Sequence, residues 1–237
     1  MNTIKINTMP NPIFPEREIP DRFVLRASSA GDYLTKKAVN NPYGINETAQ
    51  GVIRKKILED VFGYTKILDV KSIRKGNSLE TQAIEMISNL YFLNTTKNDQ
   101  RKTDGYFSGE CDIFLPDQIR DIKCVYELDT FPLTNDEAYK KAKSVGYDLQ
   151  GQVYMHLFDR DTFCLDFILL PTPQELCFGE EQYKMQNEIV QRIPAEKRVR
   201  TVTYKRDKAI IKTLKEQIEK GQKVYHDILK ELRDLGN

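Results

Sequence analysis

The chain has 237 residues, 40% of them hydrophobic and 30% charged, with 36 basic against 35 acidic side chains and a formal net charge of +1. That length serves one large domain or two small ones. Such a balance excludes a globally basic nucleic-acid scaffold, so any phosphate-binding surface must be local.

The N-terminus lacks the continuous apolar core of a secretory signal. No apolar run exceeds four residues, too short for a membrane-spanning helix. Cysteines at 111, 124, 164 and 177 form no C-x-x-C pair. The expectation is a soluble intracellular protein with reduced thiols.

In chain order, residues 1–22 carry Pro10, Pro12, Pro15 and Pro20 and read as an extended arm. "RASSAGDYLTKK" (26–37) reads as a turn feeding a short helix, capped by Ser28 or Ser29. Helix is expected over 46–63, with Val52, Ile53, Ile57 and Val61 on one face. A short strand is expected over 65–72 and helix again over 78–93.

"GECDIFLPDQIRDIKCVY" (109–126) reads as two short strands joined at "PDQ". Further helices are expected over 135–145, 147–158, 179–191 and 207–234, with strands over 162–170 and 197–205. The predicted fold is α/β, a small mixed sheet flanked by helices.

The hairpin carries the chemistry. Side chains alternate along a strand. Phe107, Cys111, Ile113 and Leu115 share one face of the first strand, and Tyr106, Ser108, Glu110 and Asp112 the other. In the second strand Asp121 and Lys123 share a face opposite Ile122. Asp112 and Asp121 therefore meet across the hairpin.

Two carboxylates about 5 Å apart repel by roughly 3 kcal/mol at an effective dielectric near 20. A divalent cation between them removes that cost, and Mg²⁺ prefers such oxygen donors. The Ile122 carbonyl is a candidate third donor, and Lys123 can polarise an attacking water. A surface hairpin with an ordinary Asp–Lys pair is the competing reading.

Other residues bear on that choice. Glu80 falls on the helical stripe of Ala83, Ile84, Ile87 and Tyr91, where a charge needs a partner. It also stands three residues after Asn77, in a capping-box spacing. Gln150 and Tyr154, four apart, share a helix face, either as site residues or as core. Arg26, Ser28 and Ser29 precede a helix N-terminus and form a candidate phosphate cradle or a plain cap. Glu110 shares a face with Asp112, as ligand or bystander. "EKRVRTVTYKR" (196–206) offers either a phosphate track or a charge-protected edge strand.

The ordered set Glu80, "GECD" (109–112), "DIK" (121–123) and "QGQVY" (150–154) resembles the PD-(D/E)xK nuclease superfamily, in the branch of RecB-type nuclease domains and phage lambda-type recombination exonucleases. The resemblance spans about residues 23–170. It implies a restriction-endonuclease-like core over 23–206, with the helix of 207–237 packed on it. It implies that Asp112, Asp121 and the Ile122 carbonyl bind Mg²⁺ or Mn²⁺, and that Glu80 orients a water or holds a second metal. Lys123 would then handle the nucleophilic water, with Gln150 and Tyr154 supporting the lysine and the substrate strand.

The cysteine positions do not resemble the iron–sulfur set of related exonucleases, so no cluster is expected. The implied activity is metal-dependent hydrolysis of DNA phosphodiester bonds, as a phage-type exonuclease acting on duplex ends in a bacterial cytoplasm. A single-strand annealing protein and further copies of the chain are implied partners. An endonuclease of the same superfamily and a non-catalytic DNA-binding or assembly protein are the alternatives.

Overall fold

The Asn46 side chain accepts the Ala49 N–H at 2.8 Å and so starts the first long helix. Thr134 does the same for a later helix, while Glu137 reaches back to the Leu133 N–H at 2.8 Å. These local signals set the elements in a computed structural model that describes residues 19–34 and 41–234. The arm expected over 1–22 falls outside the described residues, apart from residues 19–22.

The elements run β1 (Leu25–Arg26), α1 (Ala30–Tyr33), α2 (Glu47–Phe62), α3 (Lys71–Leu90), β2 (Lys102–Thr103) and β3 (Phe107–Gly109). There follow β4 (Ile113–Phe114), β5 (Ile119–Val125), α4 (Asn135–Val145), α5 (Tyr147–Phe158) and β6 (Thr162–Leu169). The chain closes with α6 (Glu180–Arg192), β7 (Val199–Lys205) and α7 (Lys208–Asp234). The fold is mixed α/β with two small sheets. No described helix is long and apolar enough to cross a membrane.

The described chain forms two compact units, one drawn from residues 19–67, 103–108 and 207–234, the other from 68–102 and 109–206. In the first unit α7 packs on α2 and α1. Its buried stripe of Ile211, Leu214, Ile218, Tyr225 and Leu229 faces Ile53 and Ile57. Gly221 breaks that stripe for a reason: a Cβ there would meet the Tyr33 hydroxyl at 1.9 Å. The neighbouring Gln222 side chain binds both backbone groups of Phe23, at 2.9 and 2.7 Å. The unit's sheet has the order β1-β3-β2, with Leu25 and Arg26 parallel to Phe107 and Ser108.

The second unit holds the sheet β4-β5-β6-β7, in which β5 and β6 are parallel and the outer pairs antiparallel. Leu79, Ala83, Ile84 and Ile87 of α3 pack with Ile113, Ile168 and Val199. Residues 163, 165 and 167 point to the opposite face, where Tyr154 and Tyr147 of α5 meet Phe163 and Phe167. Gly151 permits that approach, because its Cβ would lie 2.0 Å from the Phe163 ring.

Three expectations are corrected. No strand forms over 65–72: Ile67 is 86% exposed, residues 63–70 are irregular, and helix begins at Lys71. The helix expected over 78–93 therefore starts seven residues early and ends at Leu90, with Phe92 at φ 52°. Its early turns are held by Lys75, fully buried, whose ammonium donates to the carbonyls of Val125, Tyr126 and Leu170 at 2.8, 3.0 and 2.7 Å. A lysine on the buried side breaks the apolar pattern from which helices are read.

The first arm of the expected hairpin is also two strands. Phe107–Gly109 joins the β1 sheet and Ile113–Phe114 joins β5. Between them the Asp112 carbonyl accepts the Asn98 N–H at 2.8 Å, a bond that takes the place of sheet pairing.

Candidate active site

The brevity of β4 creates the site. It pairs with β5 only through Ile113↔Arg120 and Phe114↔Ile119. From Asp121 onward that edge of β5 has no paired strand among the described residues. The Ile122 N–H points along this edge and donates to Asp112 Oδ2 at 2.5 Å. In an extended strand the N–H and C=O of one residue point the same way, so the Ile122 carbonyl opens on the same edge.

One step along the register sets Asp112 opposite Asp121. Burial, and then the Asp121 charge, push the Asp112 carboxyl up to about 7. The Lys123 ammonium and the Ile122 N–H pull against them. Asp121 is 2% exposed, and Lys123 Nζ stands 2.6 Å from its Oδ2. Lys123 also lies 5.0 Å from the centroid of the Tyr147 ring. Burial disfavours the Lys123 charge, but Asp121 and Asp112 outweigh it and hold the group above the ordinary lysine range.

An open cleft of about 380 Å³ adjoins these groups. α3 lines it through Gly76, Asn77 and Glu80, and the sheet through Asp112, Ile122 and Lys123. Asn77 lies inside α3, whose N-cap is Val70, so the capping-box reading of Glu80 falls. Glu80 Oε2 instead accepts from Lys97 Nζ at 2.6 Å. Glu110 pairs with Arg101 at 3.4 Å.

Gln150 and Tyr154 are buried, each 5% exposed, and Gln150 Nε2 donates to the Tyr154 hydroxyl at 2.7 Å. Burial, then the charge of Asp121, push the Tyr154 phenol well above its usual range. Arg26, Ser28 and Ser29 belong to the first unit. Arg26 binds Glu59 at 2.5 Å, and Ser29 takes the N-cap position of α1 without a side-chain capping bond. Among the described residues, no three His, Cys, Asp or Glu side chains form a ready metal cluster. Asp112 and Asp121 converge, while Glu80 is engaged by Lys97.

A phage-related exonuclease from Haemophilus somnus 129PT superposes on this chain with a TM-score of 0.82 and 33% identity, covering 89% of this chain and 97% of that one. The chain belongs to the phage-related exonucleases. An alkaline exonuclease from Laribacter hongkongensis shares the fold, with a TM-score of 0.63, 16% identity and 90% and 93% of the two chains covered. The same enzyme in complex with dAMP gives a TM-score of 0.58 at 17% identity over the same shares. No protein-family model and no curated protein matches the sequence.

The donors on the free edge of this exonuclease suit a hard divalent cation. Two carboxylates and a backbone carbonyl are all oxygen ligands, and the Asp121 charge raises the cost of ionising Asp112. Sequence reasoning missed Lys97, which sits in the polar loop "NTTKNDQ" (94–100) where no periodicity marks a residue. It missed Tyr147 as the ring against Lys123. It also missed Arg120, next to Asp121, whose guanidinium binds Asp166 twice, at 2.8 and 2.7 Å. An Arg–Asp pair split between two core strands has no local signature.

Proposed function

We propose that this exonuclease is a Mg²⁺- or Mn²⁺-dependent deoxyribonuclease whose reaction centre is the free edge of β5. The observation that carries the reading is the convergence of Asp112, Asp121 and the Ile122 backbone there, with Lys123 2.6 Å from Asp121.

Asp112, Asp121 and the Ile122 carbonyl would hold the cation, and Glu80 would orient a water. A bound divalent cation supplies Lewis acidity at the phosphate and lowers the pKa of a coordinated water. Lys123 places a positive donor beside Asp121, where it can orient the attacking water and offset charge that develops on the phosphate oxygens. Tyr147 confines that ammonium. Gln150 and Tyr154 back the site from the buried side of α5.

Arg26, Ser28 and Ser29 form the candidate phosphate cradle of the first unit. DNA is the substrate this reading assigns, and duplex ends its point of attack. The dAMP bound by the Laribacter enzyme is consistent with a deoxynucleotide product. An annealing protein, further copies of the chain and a bacterial cytoplasm complete the reading and rest on family resemblance.

Linear duplex and closed circular DNA, each incubated with Mg²⁺, Mn²⁺ or EDTA, test it. The expected result is metal-dependent loss of the linear form alone, abolished by Asp121→Ala and Lys123→Ala. Hydrolysis that persists in EDTA, or in folded Asp121→Ala protein, would overturn it.

A further inference from the structure

Glu80 is a cleft carboxylate already bound to a cation, the ammonium of Lys97 at 2.6 Å. Solvent-exposed ion pairs of this kind usually contribute little, because two long side chains must be ordered in high dielectric. Here both partners are anchored. Glu80 stands on α3 between the buried Leu79 and Ala83, with its side chain 33% exposed.

Lys97 is anchored by its neighbour. The Asn98 N–H donates to the Asp112 carbonyl at 2.8 Å, and the Asn98 side-chain amide donates to the Cys111 carbonyl at 2.9 Å. Lys97 is thus fixed to the segment that carries Asp112, and its charge is felt there.

Glu80, Asp112 and Lys123 line the cleft, with Asp121 paired to Lys123 and Lys97 paired to Glu80. Lys123 belongs to Asp121. Lys97 stands against Glu80, whose charge adds to the cost of ionising Asp112.

We propose that Lys97 is a latch on Glu80: its ammonium occupies the carboxylate that a divalent cation would otherwise draw in, and so sets the affinity of the exonuclease for that cation. The latch rests on the metal-dependent reading above. Loading the cation requires Glu80 to exchange Lys97 for the cation or a water bound to it. The released ammonium is then free at the cleft rim.

Calorimetric titration of the DNA-free protein with Mn²⁺ tests this without any turnover. Lys97→Met is expected to tighten binding roughly 3- to 10-fold, the scale set by loss of one partly screened competing charge. Lys97→Arg keeps the charge and is expected to stay within about twofold of the unaltered protein. In a Glu80→Gln background the gain from Lys97→Met is expected to vanish.

Equal tightening in both backgrounds would overturn the latch and show general electrostatics alone. Unchanged or weaker binding by folded Lys97→Met, with Mn²⁺ bound normally by the unaltered chain, would overturn the latch and leave the metal reading intact. No Mn²⁺ binding by the unaltered chain would overturn both. Circular dichroism verifies the fold of each variant.

Discussion

Asp112 Oδ2 accepts the backbone N–H of Ile122 at 2.5 Å, so the first acid of the site is bound to the strand that carries the second. This bond substitutes for the ladder that is missing before β4 begins at Ile113. It sets two carboxylates and a main-chain carbonyl on one edge without a third strand to cover them.

Separating the acids from the lysine gives the first prediction. Asp121→Asn keeps the shape of the site but removes a charged oxygen donor, and should lose both Mn²⁺ binding and hydrolysis. Lys123→Met should bind Mn²⁺ at least as tightly as the unaltered chain, since a positive charge is gone. Its hydrolysis of linear duplex DNA should fall by about 10²- to 10⁴-fold, the range for loss of a positioned charged group at a reacting centre. Calorimetry and single-turnover rates distinguish the two. Equal loss of metal binding in both would assign Lys123 to holding the acids rather than the water.

Lys75 makes the second prediction. Lys75→Met leaves the buried Val125 and Leu170 carbonyls without this donor and the Tyr126 carbonyl with only the Thr172 hydroxyl, and should destabilise the protein by about 2–5 kcal/mol in urea unfolding. Burial pulls the Lys75 ammonium down to about 8, against 10.5 for an ordinary lysine. Between those values the unfolded chain holds the proton more firmly than the folded one. This contribution to stability therefore rises with pH from about 8 to 10.5 and is lost as pH falls through 8. The stability gap between the unaltered protein and Lys75→Met should widen over that interval. A gap that narrows would show that the three carbonyls favour the charged form more than burial opposes it.

Much of this architecture was readable in residue order. The alternation of "TFCLDFIL" places Phe163, Leu165 and Phe167 against α5, and β6 falls where the apolar pattern puts it. α5 matches its expected bounds of 147–158, since glycine precedes it and Asp159 ends it in the left-handed region.

The pattern fails where a residue answers to a distant partner. Lys75 reads as a surface residue because its three carbonyl acceptors lie at least 50 residues away. Residues 106–115 alternate like one strand, but Leu25 and Arg26 capture Phe107 and Ser108 for another sheet. At the site, Asp112, Asp121 and Lys123 stand out from alternation alone. Lys97 and Tyr147 do not, because their roles arise from tertiary approach.

The buried pair beside the site gives a third prediction. Arg120 and Asp166 are 4% and 0% exposed, and Thr201 donates a further bond to Asp166 at 2.5 Å. Arg120→Met would leave the Asp166 charge with only that hydroxyl and should cost about 3–5 kcal/mol. Arg120→Met with Asp166→Leu removes the stranded charge and should recover more than half of the loss. The urea midpoints of the two variants decide it. A double variant no more stable than the single one would mean that the pair contributes net stability rather than mutual compensation.

The fourth prediction concerns how α5 meets the sheet. An alanine at 151 would bring its Cβ to 2.0 Å from the Phe163 ring, whose other neighbours are the rings of Tyr154 and Tyr204. The ring is hemmed in, so the helix must move instead. Gly151→Ala should cost about 1–3 kcal/mol as overpacking. It should also lower hydrolysis, since Gln150 and Tyr154 flank the displaced residue. Phe163→Leu alone opens a cavity and should destabilise, yet combined with Gly151→Ala it should be more stable than the sum of the two single effects allows. Thermal denaturation of the four proteins measures that coupling. Simple additivity would show that Gly151 is tolerated rather than required at this contact.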